Sequence, residues 1–428
     1  MTKINSGYIL QNIADGHQFE DKGWTLADPA SPTPSLVRAI YNNKKFTPRE
    51  DLEGIYRYAE WMPIKRTLKN SCAPVTYKSK GLAEYLGLEN LYITFSGWNP
   101  EIGAKMRTGS FKETEAYSVL ARMDEQDDRI LVVQSAGNTA RAFAQVCSDN
   151  NIPIVICVPE DNLHDLWFSE PLNDCVKLVA VPHGCDYYDC IALGDKLGSH
   201  PRFLMEGGAK NIARRDGMGT TILSCVEKMG RIPDAYFQAV GSGTGAIAAW
   251  ENACRLEEDG RFGANNMKIY VAQNKPFSLM YDAWKAGTRS LPELCTEEGR
   301  NRSEKIIATV LSNRKPPYGI AGGLYDTLKA SDGDCFLASN SDIVYWMMQF
   351  RNLEGYDILP APGAALSALA EAVKSGLVKK DSYIMLNCTG GGTVRKISEG
   401  CIYKKPDLIL SPDQDADEVV DAILTCFC

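Results

Sequence analysis

Two open, mostly parallel βα lobes with a cleft between them are what this sequence predicts. Three observations carry that α/β reading. From Ser110 onward short apolar runs alternate with helical stretches, three of those runs end directly in glycine-bearing turns, and 428 residues suffice for two packed units. The expected strands are Arg129 to Gln134, Ile152 to Val158, Val176 to Val181, Ala235 to Val240, Met267 to Ala272 and Tyr383 to Leu386. Between the third and fourth, Glu206 to Arg231 reads as a glycine-rich turn and a helix, the natural place to divide the lobes.

The remaining segments follow from composition. Residues 1–109 are rich in aromatics, prolines and turns, and read as a wrapping segment that joins the larger lobe. Residues 110–230 form the smaller lobe, residues 231–405 the larger one, and residues 406–428 a tail whose run Val419 to Leu424 suits a short amphipathic helix packed on the body.

A net charge of -8 gives no uniform basic surface, so neither nucleic acid nor an anionic membrane is an expected partner. No apolar run is long enough to span a bilayer, the start lacks the pattern of a secretory signal, and the cytoplasm is the expected compartment. The fourteen cysteines are scattered without a paired ligand array; most read as reduced core residues, Cys426 and Cys428 as incidental tail thiols, and no metal site is expected.

Four segments carry chemistry. In Ser110-Phe111-Lys112-Glu113 the spacing of Ser110 and Glu113 is that of a capping box. Lys112 then sits at a helix amino terminus, whose positive end lowers its pKa and favours the neutral amine that attacks an aldehyde. Ser135-Ala136-Gly137-Asn138-Thr139 follows a strand and opens a helix, so its backbone N–H groups suit a carboxylate, with Asn138 free to bond a nearby oxygen. Gly241-Ser242-Gly243-Thr244-Gly245 stands between strand and helix as a phosphate loop. A dinucleotide would require an acidic residue after the next strand, where Gln273-Asn274-Lys275 stands, so a bare phosphate fits better. Thr389, in Asn387-Cys388-Thr389-Gly390-Gly391-Gly392, offers a neutral hydroxyl to a pyridine nitrogen. Taken singly, the first reads more simply as a solvated surface lysine, the second more simply as a helix cap, and the fourth equally well as a glycine turn closing the last strand.

Together, and in this order, the four resemble the fold-type II pyridoxal-phosphate (PLP) enzymes, the tryptophan synthase β-like group, over roughly Ala73 to Lys396. The resemblance implies PLP as cofactor, a Schiff base on Lys112, Asn138 against the cofactor hydroxyl, Gly241 to Gly245 around its phosphate and Thr389 at its ring nitrogen. Ala73-Pro74-Val75-Thr76-Tyr77-Lys78-Ser79, Leu91 to Phe95 and Met106-Arg107-Thr108 are similar to the threonine synthase branch and, more narrowly, to the cysteate synthase family. Glu113-Thr114 stands where a common threonine synthase has Asp-Arg. No cysteine precedes Cys72, so the zinc ribbon of many relatives is not expected.

That family replaces the phosphate of O-phospho-L-serine with sulfite, both strongly anionic. Ser135, Ala136, Gly137, Thr139, Arg107 and Arg214 are the expected substrate contacts, with Lys105 and Arg141 nearby; Arg214 has the spacing of a phosphate-binding arginine of threonine synthases, whereas Lys105, Arg107 and Arg141, taken singly, read more simply as solvated charges. A homodimer is implied by the resemblance alone. The alternatives are a threonine synthase acting on O-phosphohomoserine, a sulfide-using synthase, a dehydratase, and a phosphometabolite-binding protein without turnover.

Overall fold

Ile130–Gln134 and Ile154–Pro159 are almost wholly apolar, the pattern of strands covered on both faces. In the computed structural model, which describes Ile4, residues 6–135 and residues 137–427, they pair in parallel with Leu131 opposite Ile154 and Val133 opposite Ile156. The full sheet runs Phe203–Met205, Ile130–Gln134, Ile154–Pro159, Val176–Val181 and Leu408–Ile409, every pairing parallel.

Side-chain alternation divides this sheet between two cores. Leu131, Val133, Ile154, Ile156 and Leu178 face the helices Lys112–Arg122 and Asn138–Asn150. Val132, Val155, Cys157 and Val179 face the helix Tyr187–Leu197 and the tail helix Ala416–Thr425, through its Val419, Val420 and Ile423. Each fully buried Val, Leu or Ile contributes about 1.5–3 kcal/mol. The tail thus completes the smaller lobe, adding an edge strand and a helix that covers one face. Cys428 lies outside the described residues, so its pairing with Cys426 has no structural account.

The larger sheet has six strands, ordered Asp334–Ala338, Lys268–Asn274, Ala235–Ala239, Tyr383–Cys388, Asn90–Phe95 and Val75–Lys78. Only the last is antiparallel to its neighbour. Asn90–Phe95 and Val75–Lys78 come from the amino-terminal segment. Yet Ile55, Tyr56, Ala59, Met62, Ile64 and Leu68 of the same segment lie in the core of the smaller lobe. The segment straps both lobes because its apolar residues are spread through turns that follow either surface.

The helix Ile212–Met229 packs on the Lys112 helix and equally on the helix Thr244–Asp259 of the larger lobe. Nearly every residue of its first four turns is buried. It is a shared spine, whereas a boundary at residue 230 assigns it to one lobe. No helix among the described residues is long and apolar enough to cross a membrane.

Candidate active site

Lys112 opens the helix Lys112–Arg122, but not by the capping box its neighbours suggest. Phe111 is the N-cap, Ser110 Oγ is buried without a partner, and the Glu113 carboxylate accepts from the backbone N–H of Thr108. The cause is tertiary. The backbone of Ser110 is bridged to Gly390, the Phe111 N–H donates to the Thr389 carbonyl at 2.9 Å, and the Gly391 N–H donates to Gly109 at 3.0 Å. Pairing with the last glycine loop, rather than a side-chain cap, fixes the start of the lysine helix and carries Lys112 to Thr389.

The other two loops arrive through side-chain contacts. Phe111 packs with Met218 and Ala248, the latter in the second turn of the helix behind Gly241–Gly245. Val310 stands between the glycine loop and the loop at Gly137: a Cβ on Gly241 would meet its carbonyl oxygen at 2.5 Å, and one on Gly137 its side chain at 3.9 Å. The structure therefore brings all four predicted segments to one place, apart from Ala136, which lies outside the described residues.

At the centre is a residue that the sequence reading missed. Glu115 is wholly buried and accepts four hydrogen bonds: Lys112 Nζ at 3.1 Å and Arg214 Nε at 3.1 Å on one oxygen, Arg214 Nη2 at 2.7 Å and Thr139 Oγ1 at 3.1 Å on the other. That fills a carboxylate. Burial alone would raise its pKa, but Arg214 and Lys112 hold it down at about 2. The missed signal was its place one turn after Lys112, where i and i+3 side chains share a helix face.

The same junction tunes the lysine. Burial lowers the Lys112 pKa, Glu115 opposes that, and Arg214 adds to it. Desolvation, more than the helix dipole invoked from sequence, makes the neutral amine accessible. Glu206, also missed, accepts from Arg214 Nη1 at 2.9 Å and keeps its other oxygen buried and unpartnered; burial raises its pKa. Arg214 spends three of its five N–H bonds on the two carboxylates, leaving two for an anion.

The remaining cations divide differently. Arg107 is ion-paired with Asp149, near the far end of the helix Asn138–Asn150, and is not brought to the Glu115 junction. Lys105 is exposed. Arg141 is neither a solvated charge nor open to the cleft: it is buried, with a donor on Asn138.

The phosphate loop has the form its glycines require. Gly243 adopts φ +79°, which favours glycine, and a Cβ on Gly245 would come within 2.7 Å of the Gln238 amide. Ser242 and Thr244 hydroxyls bond each other at 2.8 Å at the head of a helix of 16 residues, where backbone N–H groups are free for an anion. A buried lysine of lowered pKa, a glycine cradle at a helix amino terminus, a strand-end threonine and the orphan Ser110 hydroxyl form a donor set that fits a phosphorylated pyridine aldehyde.

Comparison with known proteins agrees. A family model described as pyridoxal-phosphate dependent enzyme matches residues 75–390. The cysteate synthase of Methanocella paludicola is 47% identical over 393 residues, covering 91% of each chain, and that of Methanosarcina acetivorans is 43% identical over 388 residues, covering 90% of this chain and 93% of its own. Among solved structures, maize serine racemase superposes with a TM-score of 0.56 at 15% identity, over 76% of this chain and 91% of its own, and supports the fold alone. With a matching model across most of its length and such relatives along nine-tenths of it, the chain belongs to the pyridoxal-phosphate-dependent enzymes and, among them, to the cysteate synthases.

Proposed function

We propose that the enzyme replaces the phosphate of O-phospho-L-serine with sulfite, giving L-cysteate and inorganic phosphate. The observation that carries the reading is the Glu115 junction, which gathers the amine of Lys112, the loop residue Thr139 and an arginine with two spare donors in one buried place. Close relatives named cysteate synthase support the choice of product.

Pyridoxal phosphate supplies an aldehyde that takes up the substrate amine and a conjugated ring that delocalises charge from Cα. Lys112 holds it before substrate arrives. Backbone N–H groups and hydroxyls of Gly241, Ser242, Gly243, Thr244 and Gly245 bind its phosphate, Asn138 bonds its ring oxygen, and Thr389 its ring nitrogen. A neutral hydroxyl there leaves the nitrogen unprotonated and moderates the electron sink, which suits elimination and addition.

The chain's own groups then move the proton. Lys112, its pKa lowered by burial, takes the proton from Cα as general base. Phosphate leaves Cβ with the C–O bonding pair, the sulfur lone pair of sulfite forms the new C–S bond, and Lys112 returns the proton to Cα. Ser135, Ala136, Gly137 and Thr139 hold the substrate carboxylate, and the two spare donors of Arg214 meet the leaving phosphate or incoming sulfite. Arg107, held by Asp149, would have to leave that ion pair to take part. Closure of the smaller lobe keeps water from the reacting carbon.

The test is mass-spectrometric product analysis of PLP-loaded protein given O-phospho-L-serine and sulfite, beside a reaction with O-phosphohomoserine. Cysteate and phosphate are expected, absent with Lys112→Ala; threonine from the second tube without cysteate from the first overturns the assignment. We also propose a cytoplasmic homodimer, which sedimentation of the full chain checks for its oligomeric part.

A further inference from the structure

Arg141 lies one turn into the helix Asn138–Asn150 and is 5% exposed. Buried charges ordinarily meet an opposite charge. Among the described residues Arg141 forms no ion pair, and its bonds end on neutral acceptors. Nε and Nη2 donate to the Thr108 carbonyl at 3.0 and 2.7 Å, Nη1 to the Asp165 carbonyl at 2.9 Å, and Nη2 to Asn138 Oδ1 at 2.8 Å. The ring of Trp167 lies 4.2 Å from its guanidinium carbon. Four bonds and a stacked indole fix the group, and although burial lowers its pKa to about 10 it stays protonated at neutrality.

A guanidinium has donors and no acceptor, so an amide beside it must present oxygen. The Asn138 amide is therefore not free to flip. Its Nδ2 group is left facing the other way, and no described residue accepts from it.

We infer that Arg141 is a positioning residue that locks the Asn138 amide with its N–H bonds toward the cofactor, so that this position offers a donor and never an acceptor. The inference rests on the contact proposed above between Asn138 and the cofactor's ring oxygen. A donor there favours the deprotonated oxygen, and the positive charge behind the amide acts in the same direction, tempered by the carboxylates of Asp165 and Glu113.

The experiment is titration of full-length apoenzyme with PLP, followed by cofactor absorbance, together with thermal melting. It compares the native protein with Asn138→Ala, Arg141→Met, the double variant and Asn138→Asp. Each of the first two is expected to weaken PLP binding about tenfold, and the double variant to bind within about twofold of Asn138→Ala, because Arg141 acts through the amide. Asn138→Asp gives Arg141 an ion pair but turns an acceptor outward. It should melt no lower than the native protein yet bind PLP about tenfold more weakly.

Multiplying losses in the double variant, or native PLP affinity in Asn138→Asp, overturn the inference. If Arg141→Met does not fold, Asn138→Asp decides alone. Native PLP affinity in Asn138→Ala would instead remove the contact on which the inference stands.

Discussion

The backbone N–H of Phe111 donates to the carbonyl oxygen of Thr389 at 2.9 Å, so the residue before the proposed Schiff-base lysine is tied to the threonine proposed for the cofactor ring. Because the tie is made by backbone, it survives a change of side chain. Thr389→Val keeps the β-branched shape and removes only the hydroxyl; its melting temperature should stay within about 3 °C of native while kcat falls about tenfold or more, and Thr389→Ser should recover most of the loss. Turnover and melting, measured together, check this, and equal activity of the valine variant would remove the ring contact.

Glu115 neutralises two buried cations, so truncating it should cost far more than blunting it. Glu115→Ala leaves Lys112 without its carboxylate and Arg214 with Glu206 alone, an expected loss of about 3–5 kcal/mol in urea unfolding. Glu115→Gln keeps an acceptor and should lose less. In that variant the largest influence raising the Lys112 pKa is gone and only that of Glu206 remains, so the pH profile for borohydride-trapped attachment of PLP to Lys112 should move to lower pH. An unmoved profile would show that the carboxylate does not tune the lysine.

Glu113 predicts a pH dependence of stability. Burial raises its pKa to about 7, against an ordinary value of 4.5, so between these two values the folded chain holds a proton that the unfolded chain has released. Stability from this group is full below pH 4.5 and falls as pH rises through 7, by about 3 kcal/mol at most. Glu113→Gln should flatten the fall in melting temperature from pH 5 to 7.5 relative to the native protein. Parallel curves for the two would contradict the shift.

The tail helix should be required by the smaller lobe rather than dispensable. Ile423 is fully buried on the sheet face that carries Val132, Val155 and Val179, and Ile423→Ala should cost about 2–5 kcal/mol. Removing residues 406–428 should expose that face and produce aggregation at expression temperature. A truncated chain that melts like the native one would show that the face needs no cover.

Periodicity and glycine placement alone made the lobes and their loops legible. Short apolar runs such as Val176–Val181, rich in β-branched residues and bounded by turns, suit buried strands, and a glycine loop between such a run and a helix suits an anion, so the strands and the candidate phosphate loop could be read locally. The two- and three-residue edge strands Leu408–Ile409 and Phe203–Met205 could not, because they carry too few positions to show a period. Lys112, Asn138 and Thr389 stood out as candidates because each stands beside a strand end or helix start whose pattern is local, and because their order resembles that of the pyridoxal-phosphate enzymes.

What the tertiary structure decided is how charge is distributed among those parts. Arg107 and Arg214 look alike in sequence, yet one is drawn to Asp149 and the other to Glu115 and Glu206. Arg141 reads as a surface charge and is a buried strut. Ser110 has the spacing of a cap and is claimed instead by Gly390. Electrostatic partners are chosen by distance and desolvation between segments far apart in the chain, and neither quantity is written in local spacing.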